Sequence, residues 1–172
     1  MAQIKNFLQN AKVYLEGNTL VGVADVDLPD VAYMTEKVKS LGISGELEIP
    51  VIGHFKEMKA KLKFTTTTKE FGKLFQPESK LIQVYASLQE YDPAGNNYKS
   101  VGYKAVMNVL PLSNKAGKID IGKPMDSEIE FAVSAFKLEV DGKKIYDIDV
   151  LNLKCEIDGK DYLSDVRKNL GM

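Results

Sequence analysis

Residues 128–142 read Glu128-Ile129-Glu130-Phe131-Ala132-Val133-Ser134-Ala135-Phe136-Lys137-Leu138-Glu139-Val140-Asp141-Gly142. Side chains alternate between the two faces of a strand. Ile129, Phe131, Val133 and Ala135 therefore share one face, and Glu128, Glu130, Ala132 and Ser134 share the other. The first face is apolar enough to belong to a core. The strand carries on through Phe136 to Val140 and runs into Asp141-Gly142, a strong signal for a tight hairpin because both central turn residues need positive φ. The chain returns over 143–150 and offers a third strand over 151–157, closed by a second turn at Asp158-Gly159. Ser164 suits the N-cap and Gly171 the C′ position of one short terminal helix.

Upstream, Val13 and Leu15 alternate ahead of Gly17-Asn18, and residues 20–28 read as the returning strand of a hairpin ended by Pro29. Residues 30–42 read as an extended arm. Residues 44–49 and 58–64 read as partner strands of a long hairpin arm, in a register that sets Glu48 against Lys59 and Glu46 against Lys61. The connecting loop, 50–57, then carries Gly53 near its tip and exposes Val51, Ile52 and Phe55. Thr68 can cap a helix near 68–76, where Phe71, Leu74 and Phe75 share a face. Residues 80–91 and 98–110 read as strands joined by a turn at 92–97, and 111–125 as a loop. The expected fold is mainly β: a two-sheet sandwich or barrel with one internal α-helix, in a single domain over 1–172.

Composition narrows the function. The chain has 172 residues, 44% of them hydrophobic, which suits one domain burying about 70% of its unfolded surface. A net charge of −1 argues against a strongly basic nucleic-acid binder. No stretch is long and apolar enough to span a membrane, and a single cysteine excludes an intrachain disulfide, which fits an intracellular protein. No catalytic or cofactor pattern is visible. His54 is the only histidine and lacks oriented partners, and Cys155 reads as a buried inert thiol. Asp147 and Asp149 face the same way, and a solvated or partner-contacting face is the favoured reading over a metal pair. The expectation is a non-enzyme without cofactor or metal.

The succession Phe136-Lys137-Leu138-Glu139-Val140-Asp141-Gly142-Lys143, Ile148-Asp149-Val150-Leu151-Asn152-Leu153, Ile157-Asp158-Gly159 and Arg167-Lys168-Asn169-Leu170-Gly171 resembles the C-terminal end of major tail tube proteins of contractile-tailed bacteriophages. A second match lies in Val13-Tyr14-Leu15-Glu16-Gly17-Asn18, Gly22-Val23-Ala24 and Val26-Asp27-Leu28-Pro29. The likeness spans nearly the whole chain. It implies hexameric rings whose strands join into an inner β-barrel, stacked as the tube of a contractile tail or bacteriocin. It also implies a sheath, a baseplate, a terminator, and a tape-measure protein and DNA in the lumen. The setting would be a virion tail assembled in the host cytoplasm.

On that reading Glu128 and Glu130, with Glu46 and Glu48, are the candidates for a DNA-repelling lumen, the latter two neutralised in part by lysines. Val51, Ile52, Phe55, Lys59 and Lys61 are the candidates for inter-subunit contact. The competing reading is a monomeric β-barrel binding module, and size in solution discriminates the two.

Overall fold

The computed structural model describes residues 4–20, 23–40, 42 and 44–172. Its strands are β1 (Ile4–Leu15), β2 (Asn18–Thr19), β3 (Val23–Asp27), β4 (Tyr33–Val38), β5 (Leu47–Phe55), β6 (Met58–Phe64), β7 (Lys80–Asp92), β8 (Asn97–Lys115), β9 (Ser127–Val140), β10 (Lys143–Asp149), β11 (Lys154–Ile157) and β12 (Lys160–Asp161). Two short helices complete it, α1 (Phe71–Leu74) and α2 (Ser164–Asn169). A ten-stranded sheet holds all strands but β4 and β5, in the order β12-β11-β10-β9-β8-β7-β1-β2, with β6 joining β9 and β3 joining β6. Among the described residues β4 and β5 pair only with each other, as a separate arm.

The strand over 127–140 organises the sheet by pairing on both edges. One edge pairs with β8 throughout. The other pairs first with β6, from Ser127↔Phe64 to Val133↔Met58, and then with β10, from Ala135↔Asp149 to Val140↔Lys143. Ser134 lies between the two partners and has no opposite residue on β8, where Val133↔Val109 is followed by Ala135↔Asn108. Its carbonyl accepts the Val150 N–H at 3.0 Å. An extra residue bends a strand and increases its twist, so this bulge is where β6 and β10 diverge. It also corrects the simple alternation: beyond Ser134 it is Phe136, not Ala135, that enters the core.

Because the sheet curls at this branch, its inner faces meet in one core. Met58, Ala60, Leu62 and Phe64 of β6 and Ile129, Phe131 and Val133 of β9 pack with Ala105, Met107 and Val109 of β8, Ile82 and Val84 of β7, and Val13 of β1. Phe71 and Leu74 of α1 are also buried there, with Phe71 edge-on to Phe64 at 5.5 Å between centroids. This helix matches the expected one but is shorter, and no side chain caps it; the Thr68 carbonyl accepts the Phe71 N–H instead. The curl does not close. Among the described residues β3 pairs with β6 alone, and an apolar groove of about 380 Å³ lies between it and β1, β7 and β8.

Several expectations are corrected. The strand that carries Val13 and Leu15 begins much earlier, at Ile4, because β1 pairs with β7 along its length. The return after Gly17 is only the two residues of β2; Val23–Asp27 leaves for β6, and positions 21 and 22 lie outside the described residues. Residues 111–115 extend β8 rather than forming loop. The span 151–153 is a turn held by Asp149, whose Oδ1 accepts the backbone N–H groups of Leu151 and Asn152, both at 3.0 Å. Ser164 is the first helical residue, with Leu163 at the N-cap. The hairpins at 92–97 and 141–142 form as expected, the latter with φ of 52° at Asp141 and 75° at Gly142.

Candidate functional site

Two surfaces carry the residues singled out from the sequence. The first is the outer face of β6 and β9. Alternation puts Lys59, Lys61 and Lys63 outward when Met58, Ala60, Leu62 and Phe64 go in, and does the same for Glu128 and Glu130. The register sets Lys61 opposite Glu130 and Lys63 opposite Glu128. The closest approaches are diagonal: Lys59 Nζ lies 3.9 Å from Glu130 and Lys61 Nζ 3.5 Å from Glu128. Lys115 of β8 reaches Glu128 at 3.6 Å, and Lys63 reaches Asp27 of β3 at 3.1 Å. This face is charge-compensated rather than purely acidic.

The expected pairing of Glu46 and Glu48 with Lys61 and Lys59 does not occur. Residues 47–55 pair with β4, so Glu48 lies opposite Lys37 and accepts a hydrogen bond from the Thr35 hydroxyl, while Glu46 pairs with Lys39. These glutamates share neither strand nor sheet with Glu128 and Glu130.

The second surface is the arm. Only Lys56 and Glu57 separate β5 from β6, so 50–57 is not a loop. The β4–β5 register jumps from Tyr33↔Phe55 to Thr35↔Pro50, and Val51 to His54 bulge out opposite Met34 alone. Ile52 is 64% exposed at this bulge, and Met34, Leu47, Ile49 and Val51 are exposed around it. Phe55 behaves differently: it packs against the core and stacks on Tyr33 at 5.2 Å. The arm is thus rooted at Tyr33 and Phe55 and bare beyond. An isolated two-stranded hairpin is marginal in water, so this one needs a surface to lie on.

Cys155, Asp147 and Asp149 have structural roles. Cys155 is buried and burial pushes its thiol pKa up, which suits an inert side chain. For Asp147, burial pushes the carboxyl pKa up. The hydrogen bonds and charges of Lys154, at 2.6 Å, and Lys144, at 3.3 Å, outweigh it and hold the carboxyl below its ordinary range. Asp149 is occupied by its own turn. His54 is exposed on β5. Among the described residues no cluster of His, Cys, Asp or Glu has the makings of a metal site, and no helix is long and apolar enough to cross a membrane. Sequence reasoning missed the open groove beside β3 and the two isoleucines of the 116–126 loop. Ile119 and Ile121, spaced two apart between charged residues, were the available signal.

A bare apolar arm and an open, charge-compensated sheet are what a self-assembling subunit needs, and relatives bear on that. The profile of the family phage tail tube protein FII matches residues 5–171. The chain belongs to that family. The tail tube protein of Escherichia phage P2 is 24% identical over 178 residues, covering 96% of each chain. Among solved structures, the sheath/tube terminator of the extracellular contractile injection system PVC aligns with a TM-score of 0.54 and 16% identity, over 76% of this chain and 94% of that one. The sheath–tube complex of PVC aligns at 0.51 and 17%, over 75% and 87%. The tube-terminating cap of the anti-feeding prophage aligns at 0.52 and 15%, over 75% and 87%. At these identities the structural likeness speaks for the fold. For a tail tube protein, the two surfaces above are therefore candidate assembly surfaces.

Proposed function

We propose that this tail tube protein builds the inner tube of a contractile phage tail, or of a related injection system, as hexameric rings stacked end to end. The observation that carries the reading is a family match spanning the chain, joined to a subunit with a bare apolar arm and open sheet edges. Open edges invite uncontrolled pairing, and a closed ring removes that hazard by giving each edge a neighbour. The role is structural rather than catalytic. Its partners are further copies of itself, and then sheath, terminator and baseplate outside, with tape-measure protein and DNA inside. Relatives seen with sheath, cap and baseplate support the first group. Assembly takes place in the host cytoplasm and the product resides in the virion tail.

In this reading Glu128 and Glu130 face the channel on β9, and Val51 and Ile52 on the arm meet a neighbouring subunit. The paired lysines change how the channel works. DNA binding is driven by uncompensated Lys and Arg that release counterions from phosphate. On β6, Lys59 and Lys61 are compensated by the glutamates of β9. The wall repels little and holds little, which suits rapid passage. The test is Glu128→Lys with Glu130→Lys in a phage carrying this protein. Tubes of normal appearance in negative stain, with DNA delivery slowed and rescued by salt, are expected. Unchanged delivery refutes the channel assignment, and a purified protein that stays monomeric at all concentrations refutes the tube.

A further inference from the structure

On the face of the ten-stranded sheet turned away from the core, local pairs compensate the charges. Lys137 Nζ lies 2.6 Å from Glu139, Lys154 Nζ 2.6 Å from Asp147, and Lys144 Nζ 3.3 Å from both Asp147 and Glu156. Lys59 and Lys61 have the glutamates of β9 in the same way. Lys12 of β1 and Lys104 of β8 break the pattern: among the described residues neither has a carboxylate as an ion-pair partner. The register places them on either side of Tyr85 of β7, as Lys12↔Tyr85 and Tyr85↔Lys104. At about 4.8 Å between strands, their backbones stand about 10 Å apart with one aromatic ring between them. Glu139 lies opposite Lys104 in the register, but Lys137 holds its carboxylate and Lys104 acts on it only at longer range. The residues before and after the row on this face, Asn10, Tyr14, Gln83, Ser87, Gly102 and Val106, carry no charge.

The row is ordered as well as basic. Lys104 Nζ lies over the Tyr85 ring, 5.3 Å from its centroid, and Tyr14 meets the same ring edge-on at 5.5 Å. A cation over an aromatic face keeps its charge, and a side chain already held loses less entropy on binding. With Lys104 over the ring, a base has little of Tyr85 to stack on, so phosphate is the fitting ligand. A hollow of about 270 Å³ opens beside the row, and its lining includes Asn10, Lys12, Tyr14, Tyr85 and Ser87. Uncompensated lysines bind phosphate by releasing its counterions. Contacts to phosphate carry no sequence information, which suits a channel that must pass any sequence. The row also shares its face with Glu128 and Glu130. Lys137 and Glu139 alternate with the core residues Phe136 and Leu138, as Glu128 and Glu130 do with Ile129 and Phe131, and Lys104 lies opposite Glu139. A tube that turns those glutamates to its channel turns the row to it as well.

We infer that Lys12, Tyr85 and Lys104 form a contact row for the phosphate backbone of double-stranded DNA on the channel wall, one row per subunit. This rests on the tube reading, with Glu128 and Glu130 facing the channel. Screening confines the attraction to about 8–10 Å from the wall at physiological salt, so the row steadies DNA that touches it. The test uses phage carrying this protein with a photoreactive benzophenone amino acid in place of Tyr85. Illumination while DNA is being delivered should link tube subunits to DNA, seen as a nuclease-sensitive shift on a denaturing gel. The same group in place of Tyr162, exposed just after β12 and away from the row, should give no DNA adduct. Lys12→Gln with Lys104→Gln should leave melting and tube formation unchanged, remove most of the adduct at position 85 and flatten the salt dependence of delivery. Lys69→Gln with Lys73→Gln, an equal loss of charge at exposed positions off the sheet, should change none of these. Normal tubes without DNA adducts at position 85, or with adducts that survive the change of Lys12 and Lys104, overturn the row and leave the tube reading standing. Adducts to a protein instead of DNA also overturn it and give the row to an acidic protein of the lumen. Absence of tubes from the wild-type protein overturns the tube reading itself, and the row with it.

Discussion

Gly53→Ala tests whether the arm is locked to the C-terminal segment as tightly as its root indicates. Gly53 has a φ of +78°, and a Cβ there would stand 2.3 Å from Leu163 Cδ2, 2.8 Å from Cδ1 and 2.9 Å from Cγ. Leu163 has little room to retreat. It is 4% exposed, and its N–H donates to Asp161 Oδ1 at 3.0 Å while its carbonyl accepts the Arg167 N–H at 3.0 Å. Overpacking of this kind costs about 1–3 kcal/mol. The left-handed backbone adds about 1–2 kcal/mol for a residue with a Cβ. The expected loss is therefore about 2–5 kcal/mol, and in a chain of this size each kcal/mol moves Tm by about 2–4 °C. Thermal unfolding followed by circular dichroism should show a fall of roughly 4–20 °C. Leu163→Ala alone opens a cavity and costs about 2–5 kcal/mol. In the double variant the methyl group added at position 53 enters that cavity, so the combined loss should be smaller than the sum of the single losses by about 1–2 kcal/mol. An unchanged Tm for Gly53→Ala, or losses that simply add, would refute the contact.

Phe131 is fully buried at the centre of β9, so Phe131→Ala should cost about 3–5 kcal/mol in denaturant unfolding. Val51→Asp with Ile52→Asp alters exposed side chains and should change stability by no more than about 0.5 kcal/mol while abolishing rings or tubes in negative stain. Asp161 is held below the ordinary carboxylate pKa, first by its hydrogen bond from Arg167 and then by the Leu163 N–H. A depressed folded pKa gives stability that is present above the ordinary carboxylate range and lost as pH falls through the folded value. Asp161→Asn should therefore lower Tm at neutral pH and flatten its decline in acid, as pH-dependent melting can show.

What was readable from sequence follows the range of the interactions. The turns at 92–97 and 141–142 and the strands they join are local, and their residue types demand the observed backbone. The partner of β6 is not local. The row Lys59, Lys61 and Lys63 asks for glutamates spaced two apart, and both Glu46/Glu48 and Glu128/Glu130 supply them. The nearer pair matches charge, but the observed pair also brings Ile129, Phe131 and Val133 beside Leu62, Ala60 and Met58, which buries far more apolar surface. The bulge at Ser134 is equally silent in sequence, because one extra residue leaves the polar–apolar pattern intact up to the point where it reverses. Of the candidate contact residues, Val51 and Ile52 were legible as exposed apolar groups. Phe55 looked the same in sequence and turned inward, since only tertiary structure provides Tyr33 as its stacking partner.

A cryo-electron microscopy reconstruction of the purified protein in its assembled form tests the central claim most directly. The account predicts rings of six copies stacked into a tube, with Glu128 and Glu130 on the channel wall beside Lys59 and Lys61. Monomers at every concentration and salt, or tubes that carry these two glutamates on their outer surface, would contradict it.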